Sequence, residues 1–481
     1  MTAGSDRAGR QRGGRGEAPF DFAHGSTSLA IPERSRRDRP ELVEGPPRPY
    51  RQHSPGETGR GGGPPEEMKV ALDADVSAHD AAPSPLPLGG EGGPRSRCTS
   101  SGRGPSEGVA DFQESVVGVP TKGGRTEPQP ALREILKERF LLGAALNDAQ
   151  IAGQDPAALE IVRRHFNTIS PENVLKWDVV DPQPDRFEFA AADQYVALGA
   201  QHGLFVVGHV LVWHQQTPSW VFEGAPGATL DPELLLARLR AHVRSVVGRY
   251  RGRVQAWDVV NEAFEDDGSW RKTPWYATLG EEYVSRAFEF AHEADPEALL
   301  YYNDFNLWKT PKRQAAVRLV TSLRERGIRI DGIGEQGHWL LDEPALKDIE
   351  AAIADLAKAG GQVIISELDV DPLPRPEELI GADLSKRVEL TPELDPYADG
   401  LPEGLQQRLA QRYRDIFSVF VKHRAVSRVT FWGVTDADTW LNNWPVRGRT
   451  NHPLLWDRQG RPKLAFDAVV EALSRASQPG A

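Results

Sequence analysis

The feature that most constrains this chain is an alternation across residues 126–481. Eight short apolar runs are each followed by a longer stretch that mostly reads as amphipathic helix. The runs begin at Phe140, His165, Leu204, Val254, Leu299, Ile330, Gln362 and Arg428. Between them lie helical patterns such as PELLLARLRAHVRSVVGRY and PEGLQQRLAQRYRDIFSVFVKH. A run that is apolar on both faces suits a strand covered on both sides in a parallel sheet. Eight such strand–helix units predict an α/β fold, a (β/α)8 TIM barrel, over an open doubly wound sheet. No Gly-rich dinucleotide or phosphate-loop fingerprint supports the open-sheet alternative.

Seven of the eight runs end in polar residues: Glu172 and Asn173, His214, Glu262, Asn303 with Asp304 and Asn306, His338, Glu367 with Asp369, and Asp436. In this fold the strand C-termini converge on one face, where the active site is built. Counting by twos, Val254, Ala256, Asp258, Val260 and Glu262 should share one face, as should Val363, Ile365, Glu367 and Asp369. The fourth and seventh strands lie across the ring from one another, so Glu262 and Glu367 should face each other over its mouth. A facing carboxylate pair is what glycoside hydrolysis needs, one group to protonate the leaving oxygen and one to attack or to activate water.

Histidines and tryptophans fill in the surroundings. His209 and His214 are five residues apart, and there is no helical His-Glu-x-x-His, so no catalytic metal and no cofactor is expected. His209 and His338 are better suited to hydrogen bonding sugar hydroxyls or a carboxylate. Trp177, Trp213, Trp220, Trp432, Trp440 and Trp444 all fall at or just past the ends of the second, third and eighth runs. Flat aromatics can cover the apolar faces of pyranose rings, while Glu172, Asn173, Lys176, Gln216, Asn261 and Gln336 supply polar edges.

Residues 1–125 have a different composition: about 30% Gly plus Pro, no Trp, and 17 basic side chains matched by 17 acidic ones. That composition cannot bury enough apolar surface to offset chain entropy, so a disordered low-complexity tail is expected there, followed by a catalytic domain over 126–481. The net charge of -12 then belongs entirely to the domain, which makes nucleic acid and anionic membrane poor partners; a monomer is expected. Basic pieces of the tail such as RSRRDRP read as a solvated charged arm. The single cysteine, Cys98, lies in the tail and says nothing about compartment. The N-terminus lacks the apolar core of a signal peptide. As written the chain reads as cytoplasmic; it reads as secreted or periplasmic if the biological start differs, and the tail resembles translated intergenic sequence, with Met68 as the next methionine.

Several motifs in barrel order together resemble glycoside hydrolase family 10, the endo-1,4-β-xylanases, from about Phe140 to Leu473. SPENVLKWD is similar to the family's second-strand motif, which implies that Glu172, Asn173 and Lys176 bind sugars on the non-reducing side of the cleavage point. GHVLVWHQQTPSW resembles the third-strand motif and carries over His209, Trp213, His214 and Gln216. WDVVNE resembles the fourth, implying that Asn261 holds a 2-hydroxyl and Glu262 is the general acid/base. GIGEQGHW brings Gln336 and His338, IISELDV makes Glu367 the nucleophile, and FWGVTDADTWL supplies Trp432 and Trp440. YYNDFN departs mildly from the family pattern at Phe305. Glu335 is bulky for its motif, and the acidic, Pro-rich insertion from Asp371 to Gly404 lies where the leaving-group side of a cleft would be shaped. The resemblance implies a retaining endo-1,4-β-xylanase acting on xylan or xylo-oligosaccharides by double displacement. The rival readings are a retaining β-1,4-glucanase on the same barrel and a non-catalytic xylan-binding barrel.

Overall fold

The computed structural model describes residues 131–476 apart from 137–138, 225–226, 228, 360, 377–378 and 380–381. The expected tail, residues 1–125, and Cys98 lie outside the described residues.

Among the described residues nine parallel strands form the sheet: β1 (Leu141–Leu146), β2 (Thr168–Pro171), β3 (Phe205–Val212), β4 (Ala256–Asn261), β5 (Leu299–Phe305), β6 (Gly332–Gln336), β7 (His338–Leu340), β8 (Gln362–Asp371) and β9 (Val426–Phe431). Neighbours pair in chain order from β1 to β6, β6 pairs with β8, and β9 pairs with both β8 and β1. Eight strands therefore close a (β/α)8 barrel. The ninth, β7, resumes after Gly337 and pairs with the far end of β8. The sixth run thus extends past His338, because Trp339 is itself buried in the core.

Local sequence explains the helices outside. Asp155 caps the helix Pro156–His165 by accepting from Ala158 N, and Asp231 caps Pro232–Arg249 by accepting from Glu233 N. Each is followed by proline at the first turn, where its missing N–H costs nothing. Along the second of these helices Leu235, Leu239, Val243, Val246 and Val247 form the buried stripe, as helical periodicity requires. Such stripes join the outward strand residues in one large core, while Ala256, Tyr301 and Ile364, with Phe205 and Leu299 packed against them, form a small separate cluster.

The strict alternation expected in the fourth and seventh runs does not hold. The β4–β5 register slips between Asp258 and Val260, so Trp257, Val259 and Val260 all join the large core. On β8 the register against β9 slips twice, between Val363 and Ile364 and between Ile365 and Leu368. Val363 and Ile365 pack outward, and Ile364 packs in the small cluster. An irregularity of this kind re-aims the side chains beyond it. Here it leaves Glu262 and Glu367 at the mouth by a different phase from the one that simple counting gives.

Candidate active site

Each of the thirteen residues expected to bind or act on sugar borders one cleft: Glu172, Asn173, Lys176, His209, Trp213, Gln216, Asn261, Glu262, Gln336, His338, Glu367, Trp432 and Trp440. They come from the ends of β2, β3, β4, β6, β8 and β9 and the segments just beyond them. Gln216 and Glu262 have φ of 47° and 58°, in the left-handed region that side chains with a Cβ seldom occupy. Backbone held there by its surroundings is a common mark of a functional site.

The two glutamates lie in one buried hydrogen-bond network. Trp213 Nε1 donates to Glu262 Oε2 at 2.8 Å, while Asn261 Nδ2 and Gln336 Nε2 both donate to Glu262 Oε1 at 3.2 Å. Gln336 Nε2 also reaches Asn261 Oδ1 at 3.0 Å, as does Asn303 Nδ2. Asn303 Nδ2 donates in addition to Glu367 Oε1 at 2.8 Å, and Ser366 Oγ donates to Asn303 Oδ1 at 2.6 Å. Asn303 is thus the bridge between the two carboxylates. Its amide fits because residue 334 on the next strand is glycine: a Cβ there would lie 2.3 Å from Asn303 Oδ1.

His338 ties the second glutamate to a third carboxylate. Its Nε2 lies 3.1 Å from Glu367 Oε2 and its Nδ1 lies 3.0 Å from Asp369 Oδ2. With a carboxylate on each nitrogen, the ring satisfies both only as the doubly protonated imidazolium. Burial opposes that charge, but Asp369 and Glu367 raise the His338 pKa to about 9. Burial likewise opposes ionisation of Glu367, and the His338 hydrogen bond, His209 and Asn303 outweigh it, holding the carboxyl below its ordinary range. Glu262 goes the other way. Burial raises it and the charge of Glu367 adds to that, against Arg271 and the Trp213 and Gln336 hydrogen bonds. Two carboxyl groups in one site pushed in opposite directions suit one to donate a proton and the other to act as an anion.

The remaining side chains divide. Lys176 Nζ donates to Gln216 Oε1 at 2.6 Å and to Asn173 Oδ1 at 3.1 Å, beside Glu172, whose pKa burial raises to about 7. His209 Nδ1 lies 3.0 Å from Asp258 Oδ2, which fixes its ring. Trp440 Nε1 donates to Asp369 Oδ2 at 2.7 Å, and the ring stacks on Trp444, which also borders the cleft.

Of the six tryptophans expected on this face, Trp177 and Trp220 do not border the cleft. Trp177 is buried, stacked at 3.6 Å on His242, and Trp220 packs against the core with Arg238 over its ring. His214 also lies outside the cleft lining, and burial lowers its pKa to about 4. Asp304 pairs with Lys312 at 2.9 Å, Asp436 pairs with Lys463 at 2.8 Å, and Glu335 accepts from Leu307 N at 2.7 Å; these strand-end acids hold the framework.

Sequence reasoning passed over Ala382, Leu384, Arg387 and Asn443, which also line the cleft. The first three belong to the Asp371–Gly404 insertion, where no periodicity announces a position. Asp369 was visible only as one more polar strand end, and Arg271 gave no signal. Its Nε donates to the backbone O of Glu262 at 3.1 Å. No group of three or more His, Cys, Asp or Glu among the described residues is arranged to hold a metal ion, and no described helix is long and apolar enough to cross a membrane.

The profile of glycosyl hydrolase family 10 matches residues 131–472, from the first described residue to the last helix. The chain belongs to this family. Among curated relatives, Endo-1,4-beta-xylanase A of Xylanibacter ruminicola is 40% identical over 344 residues, covering 71% of this chain and 93% of the relative. Endo-1,4-beta-xylanase of Geobacillus stearothermophilus is 41% identical over 347 residues, covering 71% of this chain and 98% of the relative. Among solved structures, a family 10 endoxylanase retrieved from a sugarcane soil metagenome superposes with a TM-score of 0.69 at 44% identity, covering 71% of this chain and 99% of its own. A xylanase of Paenibacillus barcinonensis complexed with a conduramine derivative superposes with a TM-score of 0.64 at 39% identity, covering 72% and 99%. In this family 10 barrel Asn303 and His338 hold the two oxygens of Glu367, and residues of the 371–404 insertion border the cleft.

Proposed function

We propose that this chain is an endo-1,4-β-xylanase that hydrolyses internal bonds of xylan or xylo-oligosaccharides by double displacement, with Glu367 as nucleophile and Glu262 as general acid/base, and that residues 126–481 are the catalytic domain. The observation that carries the residue roles is the bonded network that joins the two glutamates, within which their pKa values are pushed in opposite directions. The substrate class rests on family membership and on the xylanases of similar sequence.

In the first step Glu367 attacks the anomeric carbon while Glu262 gives its proton to the departing oxygen. Glu367 bonds to carbon, the sugar–oxygen bond breaks, and the leaving chain departs as an alcohol. Asn303 and His338 hold the two oxygens of Glu367, so the attacking group is already oriented. Once Glu367 is esterified its negative charge is gone, and Glu262, now anionic, is placed to take a proton from water. The hydroxide oxygen attacks the same carbon and releases Glu367. Asn261, fixed through its Oδ1 by Asn303 and Gln336, is positioned to meet the 2-hydroxyl of the sugar at the cleavage point. Trp432 and Trp440 offer that sugar flat walls.

The test is reducing-sugar release from unsubstituted xylan compared with carboxymethyl cellulose, followed by proton NMR in the first minutes of xylan cleavage. Release from xylan alone, with the β-anomer appearing first, is the expected result. Equal release from cellulose would transfer the activity to the glucanase reading. Early α-anomer would make Glu367 a base that activates water.

A further inference from the structure

Among the described residues that line the cleft, one cation takes no part in the network around the glutamates. Arg387 is exposed, lines the cleft beside Leu384, Asn443 and Trp444, and makes no ion pair with any described residue. Among the described residues its hydrogen bond is from Nη1 to the backbone O of Asn443, long at 3.3 Å. That leaves Nε and Nη2, the edge of a guanidinium that matches a carboxylate, open to a ligand.

The backbone around Arg387 is tied down on both sides. Val388 N donates to Pro445 O at 3.0 Å, and Trp444 Nε1 donates to Asp383 O at 3.2 Å. The base of the insertion is clamped as well. Buried Asp371 pairs with Arg375 and Arg449, each at 2.7 Å, and accepts from Asn451 Nδ2 at 2.9 Å. Arg387 therefore rides on a segment seamed to the Trp440–Trp444 wall, and its position at the rim is set before any substrate arrives. Three other charged side chains of the cleft already have partners: Lys176 is held by Gln216 and Asn173, Glu262 by Trp213, and Glu367 by His338.

We propose that Arg387 is a specificity residue that binds the carboxylate of an acidic, uronic-acid branch on the xylan chain. This rests on the xylanase reading above. A backbone of xylose carries no charge, so a carboxylate at the rim belongs to a branch. A planar two-donor cation 3.3 Å from a backbone oxygen, next to a stacked tryptophan pair, can meet such a branch while the backbone sugar lies on the ring faces. A neutral arabinose branch offers it no counter-charge.

The experiment compares glucuronoxylan with the same polymer after its carboxyl groups have been reduced to alcohols, using the full chain and its Arg387→Gln and Arg387→Glu variants. The measured quantity is the ratio of kcat/KM on the acidic polymer to that on the reduced polymer. Exposed ion pairs contribute little, so the expected ratio for the unaltered chain is about three- to fivefold above that of Arg387→Gln at low salt. Arg387→Glu should invert the ratio, and about 0.5 M NaCl should erase the difference between the variants. A ratio that is the same in all three proteins overturns the proposal and leaves Arg387 as an anchor for the insertion. Failure of the unaltered chain to cleave linear xylohexaose would instead overturn the xylanase reading, which separates the two.

Discussion

Glu262 and Glu367 are both buried, yet their surroundings drive them apart, and the pH–rate profile should carry that signature. The proposed mechanism needs Glu367 ionised and Glu262 protonated. Glu367 is held below the ordinary carboxylate range, so the acid limb of kcat/KM should lie low; Glu262 is raised, so the alkaline limb should lie above that range. Asp369→Asn removes a negative partner from His338, which lowers the His338 pKa, weakens its charge on Glu367 and lets the Glu367 pKa rise. The acid limb should then move to higher pH, as a pH titration of kcat/KM would reveal; an unmoved limb would detach Asp369 from the nucleophile. Arg271→Met removes a cation that favours ionised Glu262, so its alkaline limb should move up even as the rate falls through the lost bond to the Glu262 carbonyl. Glu262→Ala should cost roughly 10² to 10⁴ on xylan, whose leaving group needs a proton. Aryl xylosides with good leaving groups should escape the loss in the first step, and azide should restore turnover. Equal loss on both substrates with no azide effect would remove Glu262 from the role.

At the scale of elements, the barrel and its catalytic face were readable because strands covered on both sides leave continuous apolar runs, and the change to Asn, Asp, Glu or His marks where each run reaches the mouth. The residues that line the cleft were readable for the same reason, together with the family likeness. What could not be read was register. The slips on β4 and β8 depend on how neighbouring strands pair, and no periodicity within either strand records them. Trp177 could not be told from a cleft residue, because an aromatic just past a strand looks the same in sequence whether it stacks on a sugar or, as here, on buried His242. Two glycines of β6 separate packing from chemistry. In Gly334→Ala the added carbon would meet the Asn303 amide at 2.3 Å and displace the bridge between the glutamates; in Gly332→Ala it would meet Gln362 O at 2.2 Å near the start of the strand. Both should lose about 1–3 kcal/mol of stability by overpacking. Only Gly334→Ala should also lower kcat of the folded fraction, by about tenfold if the displaced amide leaves the nucleophile poorly oriented. Thermal melts paired with kcat would show whether the two effects separate.

For the molecule as a whole, the question is how much chain the barrel needs. Its closure is complete within residues 141–431: β1 pairs with β2 on one side and β9 on the other, so no strand edge of the ring is left for an N-terminal segment to cover. The family match begins at residue 131, and the helix Leu132–Ile135 contributes Leu132 to the large core. Packing therefore sets a limit at about this helix. A chain starting at residue 126 keeps every contact made among the described residues, and if residues 1–125 add nothing to the core, as their composition predicts, it should melt within a degree or two of the full chain with kcat/KM on xylan within about twofold. A chain starting at residue 141 removes Leu132 and Leu136, both buried in that core, and should lose several kcal/mol at about 1.5–3 kcal/mol per large apolar side chain. Parallel melts of the two truncations give the contrast. If the chain from residue 126 lost as much as the chain from residue 141, residues 1–125 would be part of the catalytic domain's packing and the proposed domain boundary would be wrong.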